Sequence, residues 1–129
     1  MRDKNGTART LAEHAIEGAL SRKASDVVLL DLRDVSGVAD YFVICSGKTD
    51  VQMKAIAEAV QMEIRDETGE RAWRREGVGS GSWTVLDYVD VVVHIFEPEK
   101  REFYDLERLW GDAPREEFAD EPVSSTQSD

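Results

Sequence analysis

Residues 27–32 read VVLLDL, an unbroken β-rich apolar run interrupted by one charge. Such a run suits a strand covered on both faces, so it is read as a central strand of a sheet. Residues 41–45 (YFVIC) and 91–96 (VVVHIF) read as further strands of the same sheet. A chain of 129 residues, 41% of them hydrophobic, suits one domain with one core.

The remaining elements follow from periodicity and punctuation. Leu11, Ala12, Ala15, Ile16, Ala19 and Leu20 recur at helical spacing. Thr10 and Glu13 have the spacing of a capping box, which predicts a first helix from Thr10 to about Ser21. Met53, Ile56, Ala57, Val60 and Ile64 form the stripe of a second helix, capped by Thr49 or Asp50 with Gln52 and stopped at Gly69. Residues 71–75 (RAWRR) predict a charged edge strand, 77–82 (GVGSGS) a joint, and 83–86 (WTVL) a strand. Pro98 opens a last helix with Phe103, Leu106, Leu109 and Trp110 on its apolar face and Gly111 at its end. The order is α-β-β-α-β-β-β-α, an α/β domain with a mixed sheet. The expected boundaries are a flexible N-terminus over 1–9, a folded domain over 10–111 and a disordered acidic tail over 112–129.

Charge narrows the partners. The formal net charge is −11, which repels phosphate backbones and leaves little room for direct nucleic-acid binding. The same charge would speed encounter with a basic protein, or would serve solubility alone. The single cysteine, Cys45, excludes a disulfide within the chain. No stretch approaches the ~20 apolar residues of a membrane span, and the polar first ten residues lack the apolar core of a signal peptide. A cytoplasmic protein is expected.

Few residues suggest catalysis. The loop SGKTD (46–50) has a glycine, Lys48 and a helix start, the parts of a phosphate cradle. It has a single glycine without the GxxxxGK[ST] spacing, and Asp50 would repel a phosphate, so a helix cap is the simpler reading. Asp87 and Asp90 could hold Mg²⁺ for a nucleotidyltransferase together with Lys48. Three residues apart on a strand they would face opposite ways, and as corners of a turn they need no metal. His94 and Cys45 sit inside apolar strands without partners at ligand spacing, and no GxSxG supports a serine nucleophile. No cofactor or metal is expected. Arg71, Arg74 and Arg75 around Trp73 could touch RNA phosphates or simply guard a sheet edge. Trp83, Tyr88, Tyr104 and Trp110 are interface anchors if exposed and core residues if not.

The stretch WTVLDYVDVVVHIFEPEKREFYDLERLW (83–110) resembles the signature of the Iojap family, the bacterial ribosomal silencing factors. The resemblance rests on Trp83, Asp87, Asp90, Val93, His94, Arg101, Tyr104, Leu106, Glu107, Leu109 and Trp110, with DVVLLDL (26–32) and ADYFVICSG (39–47) upstream. It extends over about residues 8–111. Family members often have Gly where this chain has Val89. The resemblance implies a nucleotidyltransferase-like α/β fold, a mixed sheet of about five strands flanked by helices, without demonstrated catalysis. It further implies a homodimer that binds the large ribosomal subunit through its fourteenth protein, L14, and blocks joining of the small subunit when nutrients are scarce. Carried onto this chain, the implied contact residues are Trp83, Asp87, Tyr88, Asp90, Arg101 and Tyr104.

Overall fold

The structure, a computed structural model, describes residues 6–79 and 81–118. Its elements are α1 (Thr7–Ser21), β1 (Ser25–Asp31), β2 (Tyr41–Ser46), α2 (Asp50–Thr68), β3 (Arg74–Glu76), β4 (Trp83–Asp87), β5 (Val91–Phe96), α3 (Pro98–Tyr104), α4 (Leu106–Leu109) and β6 (Arg115–Phe118). The mixed α/β architecture is the one expected. The sheet has six strands rather than about five, in the order β3-β4-β5-β2-β1-β6. Only β2 and β5 pair in parallel, and the other neighbours are antiparallel. No helix among the described residues is long and apolar enough to cross a membrane.

The sixth strand corrects the boundary expected at residue 112. Arg115–Phe118 pairs with β1 from Val27↔Phe118 to Leu30↔Arg115, and the Asp31 N–H donates to the Pro114 carbonyl at 2.9 Å. Charge hides such a strand from a hydrophobicity reading, because an edge strand is held through its backbone. Arg9 on α1 fastens it further, with 2.8 and 3.0 Å bonds from its guanidinium to the Glu116 carboxylate. Residues 119–129 of the expected tail, residues 1–5 of the expected N-terminus and Ser80 of the expected joint lie outside the described residues.

The first helix begins at Thr7, three residues before the expected capping box, which is not formed. Gly6 occupies the cap position at φ 75°, and its carbonyl accepts from the Thr10 N–H at 2.9 Å. Thr10 is therefore interior helix, and Glu13 pairs with Arg9 instead. The second helix is capped as expected. Thr49 Oγ1 accepts from the Gln52 N–H at 3.0 Å, Gln52 Oε1 accepts from the Lys48 N–H at 2.7 Å, and Gly69 ends the helix at φ 80°. The 46–50 loop is thus occupied with helix capping.

Residues of opposite parity divide the sheet into two faces. One face (Val27, Leu29, Val43, Cys45, Leu86, Val93 and Ile95) is buried beneath α1 and α2. The other (Val28, Leu30, Phe42, Ile44, Val92 and Phe96) meets only short cover from Leu106, Trp110 and Ala113. The helices α1 and α2 touch at Gly18, where a Cβ would lie 2.8 Å from the Ala59 carbonyl oxygen and the Val60 Cα. Only glycine allows that approach.

The turn joining β4 and β5 forms as the two aspartates suggest. Asp87 accepts the Val89 N–H on its side chain at 2.8 Å, and the Tyr88 N–H donates to the Val91 carbonyl at 2.8 Å. The Asp90 N–H reaches the Tyr88 carbonyl at 2.9 Å, which places Val89 at the centre of a γ-turn with φ 75°. A β-branched residue is strained in that region.

Two substitutions test these constraints by urea denaturation. Gly18→Ala should destabilise the fold by about 1–3 kcal/mol, because the methyl group enters backbone that cannot give way. An unchanged midpoint would mean that the helix contact is soft. Val89→Gly should stabilise by about 1 kcal/mol, since relief of about 1–3 kcal/mol of strain exceeds the roughly 0.5–1 kcal/mol of backbone entropy that glycine loses. A lowered midpoint would show that Val89 is unstrained.

Candidate functional site: an aromatic face on the lightly covered side of the sheet

The lightly covered face is closed mainly by rings. Trp83 of β4 pairs in register with Phe96 of β5, and their rings stack at 4.8 Å. Tyr104 of α3 lies on Trp83 at 4.5 Å, and Phe42 of β2 lies against His94 at 4.5 Å and Trp110 at 6.3 Å. Trp83 Nε1–H donates to His94 Nδ1 at 3.2 Å. Indole can only donate, so His94 is neutral and carries its hydrogen on Nε2. That Nε2 is buried without a hydrogen-bond partner, and burial pushes the imidazole down to about 4. His94 is scaffold, as its sequence context suggests.

The last helix does not run unbroken to Trp110. Asp105 adopts a left-handed conformation (φ 50°, ψ 53°) and splits it into α3 and α4. Aspartate tolerates this geometry better than most residues. The break rotates the expected apolar face apart. Leu106 and Trp110 pack inward, while Phe103 is 76% and Leu109 68% exposed. With Tyr104, at 46%, they form an apolar patch bordered by Glu102, Asp105 and Arg108. The sequence pattern placed Phe103 and Leu109 in the core, and nothing in it marks the break at Asp105.

Arg101, expected among the contact residues, is largely buried and engaged within the fold. Its side chain is 11% exposed. It forms paired bonds of 3.0 and 2.9 Å to Glu107, and its Nη1 donates to the Asp26 carbonyl at 2.7 Å and to Ser46 Oγ at 3.0 Å. The guanidinium thus ties α3 and α4 to one end of β1 and β2, and it holds the Glu107 carboxyl below the usual carboxylate range.

Tyr88 also leaves the expected site. It is 8% exposed and belongs to the core beneath α1 and α2, on the face opposite Trp83. Strand parity contained this information: Tyr88 is five residues from Trp83, an odd step, whereas Asp87 is four. Asp87 shares the Trp83 face, but four residues of strand separate the two by about 13 Å. Around Asp87 a second apolar cluster forms a shallow cleft of about 300 Å³, with Trp73 (68% exposed), Val38 (64%) and Val89 (57%). Trp73 is joined to Asp87 by a 2.7 Å backbone bond, and Arg74 lies over its ring at 4.9 Å. Asp90 is exposed at the same end of the sheet. Of the six expected contact residues, Trp83 and Tyr104 meet directly, Asp87 and Asp90 lie at the far end of the strip, and Tyr88 and Arg101 are structural.

The buried imidazole gives a pH dependence. Its folded value of about 4 lies below the ordinary 6.5, so its contribution to stability is complete above pH 6.5 and is lost as pH falls toward 4. The slope approaches 1.4 kcal/mol per pH unit within that window. His94→Gln, which keeps an acceptor for Trp83, should flatten denaturation free energies between pH 6.5 and 4.5 by about one proton. Equal slopes for the two proteins would show that His94 titrates normally.

The family model described as ribosomal silencing factor during starvation matches residues 5–129. The ribosomal silencing factor RsfS of Bacillus subtilis is 44% identical over 93 residues, covering 72% of this chain and 78% of that protein. Its counterpart in Halalkalibacterium halodurans is 39% identical over 108 residues, covering 84% and 92%. The chloroplastic protein Iojap of Zea mays is 33% identical over 114 residues, 86% of this chain and 48% of that protein. A crystal structure of a Chromobacterium violaceum protein superposes with a TM-score of 0.75 at 34% identity, covering 80% of this chain and 85% of that one. The α/β architecture is thus a shared fold, and this chain is a member of the ribosomal silencing factor family.

Proposed function

We propose that this protein lowers translation by steric exclusion. It docks its aromatic strip on the large ribosomal subunit, at ribosomal protein L14, and so prevents the small subunit from joining. The observation that carries the reading is the Phe103–Tyr104–Leu109 patch, three exposed apolar side chains mounted on the Trp83 ring system and bordered by Glu102, Asp105 and Arg108. An apolar centre with a polar rim is the anatomy of a protein interface. The net charge of −11 suits a basic ribosomal protein and disfavours the surrounding RNA. Family membership supplies the ribosome as the target and starvation as the occasion.

No chemistry is required of the protein in this reading: affinity and placement suffice, and no cofactor enters. Trp83 is the platform, and Tyr104, Phe103 and Leu109 are the contacts. Asp87 and Asp90 face basic side chains at the far end of the strip. The protein acts in the cytoplasm, and a homodimer is its resting form.

The direct test is sedimentation of purified subunits with and without the protein, where added protein should shift whole ribosomes into free subunits. Phe103→Ala with Leu109→Ala should weaken that effect at least tenfold with the unfolding midpoint unchanged, because each side chain contributes about 1.5–3 kcal/mol if buried by the partner. Undiminished activity of the double variant would place the interface elsewhere, and unaltered whole ribosomes with the parent protein would remove the reading altogether.

A further inference from the structure

A second concavity lies on the helix-covered side, away from the aromatic strip. It is a cleft of about 480 Å³ between the outer surface of α2, the 69–73 connection and β3. Its size is that of small-molecule sites. Three guanidinium groups line it: Arg65 from α2, Arg71 from the connection and Arg75 from β3. In a chain with 27 acidic and 16 basic residues, such convergence runs against composition.

These cations are weakly engaged. Arg65 has one 3.5 Å contact with its neighbour Asp66, and Arg75 has a long 3.4 Å bond to Gln61 Oε1. Neither Arg71 nor Arg75 has a carboxylate within 4 Å among the described residues. The donors of the guanidinium forks are thus available, and that fork matches phosphate oxygens in pairs.

The second observation is independent of charge. Tyr88 also lines this cleft, although it is only 8% exposed. Its hydroxyl is buried and has no hydrogen-bond partner among the described residues. A buried orphan hydroxyl is uncommon, and a ligand oxygen at the cleft floor would satisfy it. Beside the less polar Met62 and Ala72, Glu58 and Glu70 also line the cleft. Their carboxylates disfavour an extended polyanion and suit a ligand that carries donor groups beside its phosphate.

We propose that this cleft binds a small nucleotide, its phosphates held by Arg65, Arg71 and Arg75 with the Tyr88 hydroxyl donating from below, and its sugar or base donors facing Glu58 and Glu70. The site is separate from the proposed ribosome-docking strip, and neither reading depends on the other.

Calorimetric titration of the full chain with ADP and GDP tests it. Pyrophosphate, the unphosphorylated nucleosides and a single-stranded RNA oligonucleotide without terminal phosphate are parallel probes. Expected is saturable one-to-one binding of at least one nucleoside diphosphate, at least tenfold tighter than its nucleoside. Arg71→Ala with Arg75→Ala should weaken it tenfold or more. Tyr88→Phe should weaken it severalfold while leaving the unfolding midpoint equal or higher, which distinguishes a lost ligand bond from a damaged core. Absence of saturable nucleotide binding, or equal binding by the double alanine variant, overturns the proposal. So does RNA binding that neither nucleotide displaces, which would make the cleft a contact for RNA backbone.

Discussion

The parallel pairing of β2 with β5 is the constraint on which the rest of the structure depends. Six consecutive pairs, from Tyr41↔Val91 to Ser46↔Phe96, lie side by side, and all twelve residues are buried. Parallel neighbours need a long crossover. Here the crossover contains α2, with its start fixed by Thr49 and Gln52 and its end by Gly69. The helix therefore lies on one face of the strands it connects, and α1 joins it there at Gly18. That face is filled mainly by aliphatic side chains and alanines, with Tyr41 and Tyr88 among them.

The opposite face receives much less chain. A seven-residue and a four-residue helix cover it. Large flat side chains bury more area per residue than aliphatic ones, so rings complete the layer where backbone is scarce. This accounts for the concentration of Phe42, Trp83, His94, Phe96, Tyr104 and Trp110 on that side. It also explains Arg101. Two short helices have little apolar area to hold them, and the guanidinium compensates with four hydrogen bonds to Glu107, Asp26 and Ser46. Removing either Arg101 or Glu107 would leave a largely buried charge without its main partner, so the displayed face would loosen even though both residues are only slightly exposed.

Much of the fold was legible because the strongest signals are local and periodic. The unbroken runs over 27–32, 41–45 and 91–96 became β1, β2 and β5. The α2 stripe and its caps formed as the residues indicate, and so did the Asp87–Asp90 turn. The features that sequence missed depend on tertiary context. The strand Arg115–Phe118 carries three charges in four residues and exists because β1 offers it a backbone edge. The helix break at Asp105 leaves no mark in the apolar spacing, although aspartate tolerates the left-handed geometry found there. The Thr10–Glu13 pair had the right spacing, but the helix had already begun at Thr7. For the candidate site, the side chains that meet are Trp83 and Tyr104, and the aspartates at the turn were placed correctly as corners. Arg101 and Tyr88 prove mostly buried, because a motif says that residues matter without saying which way they face.

That distinction changes how the aromatic signature should be understood. Trp83 is bonded to His94, stacked on Phe96 and capped by Tyr104, so most of its ring is committed within the protein. Truncating it would unpair the His94 nitrogen, open a void beside Phe96 and release Tyr104 in one step. Loss of binding in such a variant could not be assigned to a missing contact. Phe103 and Leu109 lie one layer further out and have little to lose within the fold. The surface that a partner would touch is therefore carried by residues of weak structural consequence, and its position is set by a buried layer of strong consequence. A chain organised this way can vary its contact residues without refolding, because the platform beneath them is fixed by the register of β4 against β5.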